Sequence, residues 1–327
     1  MSAQPSAQPP ADAAHVARAA EIGRRVLDEV QRIYIGPDET VEILFATLVA
    51  RGHALLEGVP GVAKTTLVKT FARVLGCSFK RVQFTPDLLP SDITGTYVLN
   101  LRDNSFVLRR GPIFAQVVLG DEINRAPAKT QSALLEAMAE GQVTIESETH
   151  RLEAPFMVLA TQNPVEQEGV YLLPEAQLDR FMVKVLIGYP SEEDERRLLN
   201  THSRPVSEPA TLLSPADVLR LRELADTIHV AEEISDYVLG LARFTRTHRS
   251  AYLGVSPRAA LNLVALARAR ALLHGRAYVL PDDIKHLAEP VLGHRLLLTP
   301  DAELEGVTPR SIVGEALEAV RYVPAAR

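Results

Sequence analysis

The stretch Gly58-Val59-Pro60-Gly61-Val62-Ala63-Lys64-Thr65-Thr66 constrains this chain more than any other. An apolar run, His53-Ala54-Leu55-Leu56-Glu57, leads into it, and Leu67-Val68-Lys69-Thr70-Phe71-Ala72-Arg73-Val74-Leu75 follows. That order reads as strand, glycine-rich turn and helix, the P-loop pattern. Such a turn points successive backbone N–H groups inward around a phosphate chain, with the positive end of the helix dipole behind them. Gly58, Val59, Pro60, Gly61, Val62, Ala63, Lys64, Thr65 and Thr66 are therefore the candidate nucleotide-binding residues. Lys64 is placed to reach the β- and γ-phosphates of ATP, and the Thr65 hydroxyl to hold Mg²⁺. One residue departs from the pattern: Ala63 stands where its second glycine belongs. A methyl group is tolerated there with helical dihedrals and clashes if φ is positive. The competing reading is a turn that only caps an ordinary strand–helix unit.

Lys80–Phe84 reads as a second strand, and apolar runs suited to strands recur at Gln116–Gly120, Phe156–Thr161 and Phe181–Ile187, with a helix over Pro127–Ala139 and Gly141 as its C-terminal cap. Strands alternating with helices predict an α/β fold whose parallel sheet is covered on both faces. Two hairpins are expected within it. One pairs Thr96–Leu101 with Ser105–Arg109 around Arg102-Asp103-Asn104, and the other pairs Gln142–Glu146 with His150–Glu153. Between strand and hairpin, Thr85–Gly95 holds two prolines among alternating apolar and acidic residues and does not read as a clean helix. Ahead of the turn, Val16–Ile33 and the stretch carrying Val41, Leu44, Phe45 and Leu48 have helical spacing, broken by Gly36-Pro37-Asp38.

Beyond Tyr189 strand-like runs cease. Helices are expected over Pro215–Ala225, Ala231–Thr247, Pro257–His274, Pro281–Ala288 and Pro309–Val320. Ser214 and Ser256 each precede a proline, an N-cap followed by proline in the first turn. The domain division is then a disordered tail (1–14), a nucleotide-binding α/β domain (15–188), a linker (189–215) and a small all-α domain (216–327).

Composition narrows the classes. With 46% hydrophobic and 23% charged residues and no tryptophan, the chain suits an aliphatic globular core. A net charge of -6 weighs against nucleic acid as the main partner, since duplex binding needs a basic face. Cys77 is the only cysteine, which excludes a disulfide within the chain. No signal peptide and no membrane-spanning run is visible, so a cytoplasmic protein is expected.

Four more positions bear on chemistry. Asp121 and Glu122 end the run Gln116–Gly120, where one carboxylate can hold Mg²⁺ and the other polarise a water against the γ-phosphate. Asn163 follows Phe156–Thr161 and either sets an amide beside that water or is a loop residue before Pro164. Arg180 precedes the last strand, either as an arginine finger given to a neighbouring subunit or in a surface ion pair with Asp179 or Glu175. Arg258 opens a helix of the second domain and either reaches back to the γ-phosphate or is a solvated helix-terminus arginine.

Together these residues resemble the AAA+ ATPases, specifically the MoxR family. The resemblance covers nearly the whole chain after the tail. It rests on Gly58–Thr65, Gln83-Phe84-Thr85-Pro86-Asp87-Leu88-Leu89-Pro90-Ser91-Asp92, Asp121-Glu122-Ile123-Asn124-Arg125-Ala126-Pro127, Ala160-Thr161-Gln162-Asn163-Pro164, Leu173–Phe181 and Ser256-Pro257-Arg258. Ala63 is similar to this family's own version of the turn. The resemblance implies a P-loop AAA+ sheet domain followed by a helical lid, with the hairpins as its helix 2 and pre-sensor 1 inserts. It implies Asn163 as sensor 1, Arg180 as arginine finger and Arg258 as sensor 2. It also implies ATP and Mg²⁺ as cofactors, a homo-oligomeric ring (most often a hexamer), a protein client, and a separate partner carrying a von Willebrand factor A domain. The expected function is ATP hydrolysis driving chaperone-like remodelling, maturation or metal insertion. The alternatives are a nucleotide-dependent scaffold whose slow hydrolysis acts as a timer, or a DNA-processing motor. Tyr97, Phe106 and Val107 on the first hairpin are candidates for client contact or for packing within a ring.

Overall fold

The computed structural model describes residues 12–59, 61–163, 171, 173–201 and 208–324. Pro60, the greater part of the tail at 1–14 and part of the linker at 189–215 lie outside the described residues. The chain divides into two compact units, Val26–Val218 on the one hand and residues up to Arg25 with those from Leu219 onward on the other.

Among its described residues the first unit holds nine strands: β1 Ala54–Gly58, β2 Phe79–Gln83, β3 Gly95–Asn100, β4 Ser105–Arg110, β5 Val117–Asp121, β6 Gln142–Ile145, β7 Glu148–Arg151, β8 Met157–Gln162 and β9 Val183–Ile187. Five form one parallel sheet in the order β2-β5-β8-β1-β9. Strand β5 is buried along its whole length, and β1 and β8 nearly so, as their apolar composition requires of strands covered on both faces. Leu134, Leu135 and Met138 of the helix Ala128–Glu140 share a buried cluster with Val118 and Val158 of the sheet. That helix ends at Gly141, whose φ of 62° is the left-handed cap the sequence predicts. Edge strand β2 instead exposes Lys80, Arg81 and Gln83, and charge on an open edge discourages pairing with another chain.

Both predicted hairpins form, β3 with β4 and β6 with β7. The segment Thr85–Gly95 contains a single helical turn, Pro90–Thr94, started by its proline and stopped by Gly95 at φ 91°. The region assigned to a linker contains the helix Glu192–Thr201, with Glu192, Glu193, Asp194 and Glu195 in its first turn. Acids there complement the helix dipole, while the near absence of apolar residues hides the helix from periodicity. Likewise Ala13 and Ala14, assigned to the tail, already belong to the helix Ala13–Gln31.

In the second unit the predicted helices appear as Glu232–Thr247, Pro257–Leu273, Pro281–Leu292 and Pro309–Ala319. Ser256 caps its helix through the Ala259 N–H at 3.2 Å. Burial opposes the charge of Asp283, yet Arg276, the Leu280 N–H and Arg270 all donate to its carboxylate and hold it below the usual range. A short antiparallel pair, β10 Ala251–Leu253 with β11 Leu297–Leu298, was not legible in the sequence.

Gly58 is fixed by the sheet itself. It pairs with Ile187 of β9, and a Cβ on it would sit 2.3 Å from the Ile187 carbonyl oxygen. Backbone cannot give way as a flexible side chain can, so Gly58→Ala should destabilise the fold by about 1–3 kcal/mol in urea denaturation. A loss below about 0.5 kcal/mol, the range of an ordinary surface change, would show that β1 and β9 separate freely.

Candidate active site

The site sits at the carboxyl ends of the parallel strands, where such sheets bind ligands. Register brings its parts level: Gln83 lies opposite Asp121, Gly120 opposite Ala160, and Leu56 opposite Thr161. The resulting cleft has a volume of about 290 Å³. It is lined by Gly61–Thr65 from the turn, Asp121 and Glu122 from the end of β5, and Thr161, Gln162 and Asn163 from β8 and beyond.

On the turn side, Gly61 has φ 86° and Ala63 has φ 56°, ψ 25°. Of the two dihedral states open to Ala63, the chain adopts the costly left-handed one, about 1–2 kcal/mol above the right-handed helix for a residue with a Cβ. The helix Lys64–Val74 starts directly after it, and the N–H groups of its first turn have no intrahelical acceptor. Lys64 Nζ donates to the carbonyl oxygens of Gly58 (2.5 Å) and Val59 (3.3 Å). Burial holds Lys64 below its ordinary pKa against the opposing pull of Asp121, Glu122 and Glu57.

On the opposite side, Thr161 Oγ1 donates to Asp121 Oδ1 at 2.6 Å and accepts the Glu122 N–H at 2.8 Å. Arg81 donates to Asp121 Oδ2 from Nε (3.0 Å) and Nη2 (2.6 Å). Glu122, left-handed at φ 57°, accepts from Gln83 Nε2 at 2.6 Å and pairs with Arg125 at 3.2 Å. One wall thus offers a cation and unsatisfied N–H groups, and the other a hydroxyl and carboxylate oxygens. That donor set fits a polyphosphate carrying a hard divalent cation. Among the described residues no group of three or more His, Cys, Asp or Glu could hold a metal ion unaided.

Comparison with known proteins agrees with this geometry. Residues 53–183 match the ATPase family associated with various cellular activities (AAA), and residues 243–316 match the AAA lid domain. The uncharacterized protein YeaC of Bacillus subtilis is 46% identical over 93% of this chain and 95% of its own length. A solved structure from Cytophaga hutchinsonii superposes with a TM-score of 0.90 at 41% identity, covering 95% of this chain and 98% of that one. Chaperone MoxR1 of Mycobacterium tuberculosis is 45% identical over 95% of this chain and 85% of its own. The chain belongs to the MoxR family of AAA+ ATPases.

In this MoxR-family chain the residues singled out from sequence do not all meet. Lys64, Thr65, Asp121, Glu122 and Asn163 line one cleft. Arg180, just after the short helix Glu175–Leu178, is not among the lining residues and donates to the Leu135 carbonyl. Arg258 belongs to the other unit, in the first turn of Pro257–Leu273. Three residues join the two carboxylates without having been given a role from sequence: Arg81, and Gln83 and Thr161, which entered only as members of the motifs that carry the resemblance. Their signal is spatial, since Arg81 and Gln83 face Asp121 only once β2 is set beside β5.

The conformation of Ala63 is testable by its sign. At an ordinary helical residue Ala→Gly costs about 0.5–1 kcal/mol. Here Ala63→Gly relieves a larger penalty, so the variant should be more stable than the parent by up to about 1 kcal/mol in thermal or urea unfolding. Destabilisation of the ordinary size would place Ala63 in right-handed dihedrals.

Proposed function

We propose that the chain is the subunit of an ATP-hydrolysing ring that remodels protein clients. The observation that carries this is the convergence of Lys64 with Asp121 and Glu122 on one cleft at the start of the helix Lys64–Val74. Gly58, Val59 and Gly61–Thr66 wrap the phosphates of ATP, and Lys64 neutralises charge on the β- and γ-groups. Mg²⁺, held by Thr65 and Asp121, supplies further neutralisation of the phosphates when bound. Glu122 orients a water and takes its proton as the water oxygen bonds to the γ-phosphorus and the bond to the β–γ bridging oxygen breaks. Asn163 helps to position that water. Arg258 senses nucleotide from the helical unit.

Arg180 acts on the site of a neighbouring copy. Its absence from the lining of its own cleft supports this reading. A site shared head-to-tail closes into a ring, for which six subunits is the proposed number. The name of the Mycobacterium tuberculosis relative, a chaperone, supports protein remodelling, maturation or metal insertion as the work done. A separate protein with a von Willebrand factor A domain is the proposed partner. The negative net charge ranks nucleic acid below protein as client. Among the described residues no helix is long and apolar enough to cross a membrane, and we place the activity in the cytoplasm.

Two single variants and their mixture test the shared site. Glu122→Gln should bind ATP like the parent while turnover falls by about 10²–10⁴-fold. Arg180→Ala should also retain ATP, with turnover reduced by about 10³–10⁵-fold. Mixing the two should recover part of the turnover, because some interfaces then join an intact Glu122 to an intact Arg180. A parental rate in Arg180→Ala, or no recovery in mixtures shown to co-assemble, would sink the shared site.

A further inference from the structure

Arg81 lies on the edge strand β2, not among the residues lining the cleft, yet both Nε and Nη2 donate to Asp121 Oδ2. The same Nη2 donates to Gln83 Oε1 at 2.6 Å, and Gln83 Nε2 donates to Glu122 Oε2 at 2.6 Å. Thr161 holds the other oxygen of Asp121. The positive charge of Arg81 therefore rests on the carboxylate oxygen that the buried hydroxyl does not hold.

We propose that Arg81 is the resident counter-cation of Asp121, displaced when a divalent cation arrives with nucleotide. The inference rests on reading the cleft as a Mg²⁺–nucleotide site. Two cations on one carboxylate oxygen repel each other, so Arg81 and the metal compete. Mobility decides which of the pair moves. The Asp121 side chain is 12% exposed and pinned by Thr161, whereas that of Arg81 is 48% exposed on a long flexible stem. Arg81 can swing into water at the open sheet edge, where its charge is fully solvated. When it leaves, its bond to Gln83 breaks, and Gln83 loses the partner that aligns it on Glu122. Arg81 is thus a positioning residue: without metal it neutralises Asp121 and, through Gln83, holds the Glu122 carboxylate in place, and metal arrival loosens Glu122.

The test measures binding rather than turnover. A non-hydrolysable ATP analogue is titrated calorimetrically in EDTA and then with Mn²⁺, and Mn²⁺ affinity of the analogue-loaded chain is read by electron paramagnetic resonance. Arg81→Met removes the charge at similar length. It should raise Mn²⁺ affinity about tenfold, a usual size for coupling between sites, while metal-free analogue affinity stays near the parent's. Arg81→Lys keeps the charge but loses the fork that spans Oδ2 and Gln83, and should lie between the two. If Arg81→Met fails to fold, the Lys variant carries the test alone. Unchanged or weakened Mn²⁺ affinity in the folded variants overturns the competition while leaving the site intact. A parent chain that gains no analogue affinity from Mn²⁺ overturns the reading of the cleft itself.

Discussion

The hydroxyl of Thr161, buried at the end of β8, has one proton and gives it to Asp121 Oδ1, so its lone pairs are left to accept the Glu122 N–H. A hydroxyl has only that one donor, and Asp121 as a carboxylate can only accept, so the direction of both bonds is set. The consequence runs through the backbone. Glu122 sits at φ 57°, which costs a residue with a side chain about 1–2 kcal/mol. Its anchored N–H helps to hold it there, at the point where β5 stops and the chain turns into the short helix Ile123–Arg125. Without Thr161 the carboxylate of Asp121 would lose its inner partner and Glu122 the contact that fixes its backbone. The packing of β5 against β8 and the aim of both acids are thus one constraint.

A second non-glycine residue in the left-handed region, Ala63, faces this one across the cleft. Strained dihedrals persist where the surroundings over-determine them, and they gather at functional sites. Here the surroundings are identifiable. Gly58 is pressed against the Ile187 carbonyl on one side of the turn, and the helix Lys64–Val74 is anchored by buried Leu67, Val68 and Phe71 on the other. Between two fixed ends the turn has few ways to close, and Ala63 takes the strained one.

Much of this was legible in the sequence, for physical reasons that also explain what was not. Apolar runs buried on both faces announce β1, β5 and β8, and those of β5 and β8 stop where Asp121 and Gln162 meet the cleft, so the strand ends that carry chemistry could be read. The turn posed a choice at Ala63 that only the folded backbone decides, because both dihedral states accommodate the same neighbours in sequence. Arg81 and Gln83 were hidden for a different reason. On an edge strand alternating charge is the ordinary solvated pattern, and their partners stand about forty residues away, made neighbours by register alone. The helix Glu192–Thr201 was missed because four consecutive acids satisfy its dipole without leaving an apolar stripe.

Charge pairing around the cleft shows why an anion should settle where the turn is. Asp121 is matched by Arg81, Glu122 by Arg125, and Glu57 by Lys184 on the adjacent strand. Lys64 is the exception. Its hydrogen bonds go to the Gly58 and Val59 carbonyls, and among the described residues it forms no ion pair with a carboxylate. Carbonyl dipoles compensate a half-buried ammonium only in part, and partial burial already disfavours its charge. A phosphate brought to the mouth of the helix Lys64–Val74 supplies the missing counter-charge and meets the N–H groups of the first turn at the same time. The fold therefore builds one incompletely neutralised cation into a cleft whose other charges are matched, and that imbalance selects the end of the polyphosphate that Lys64 holds.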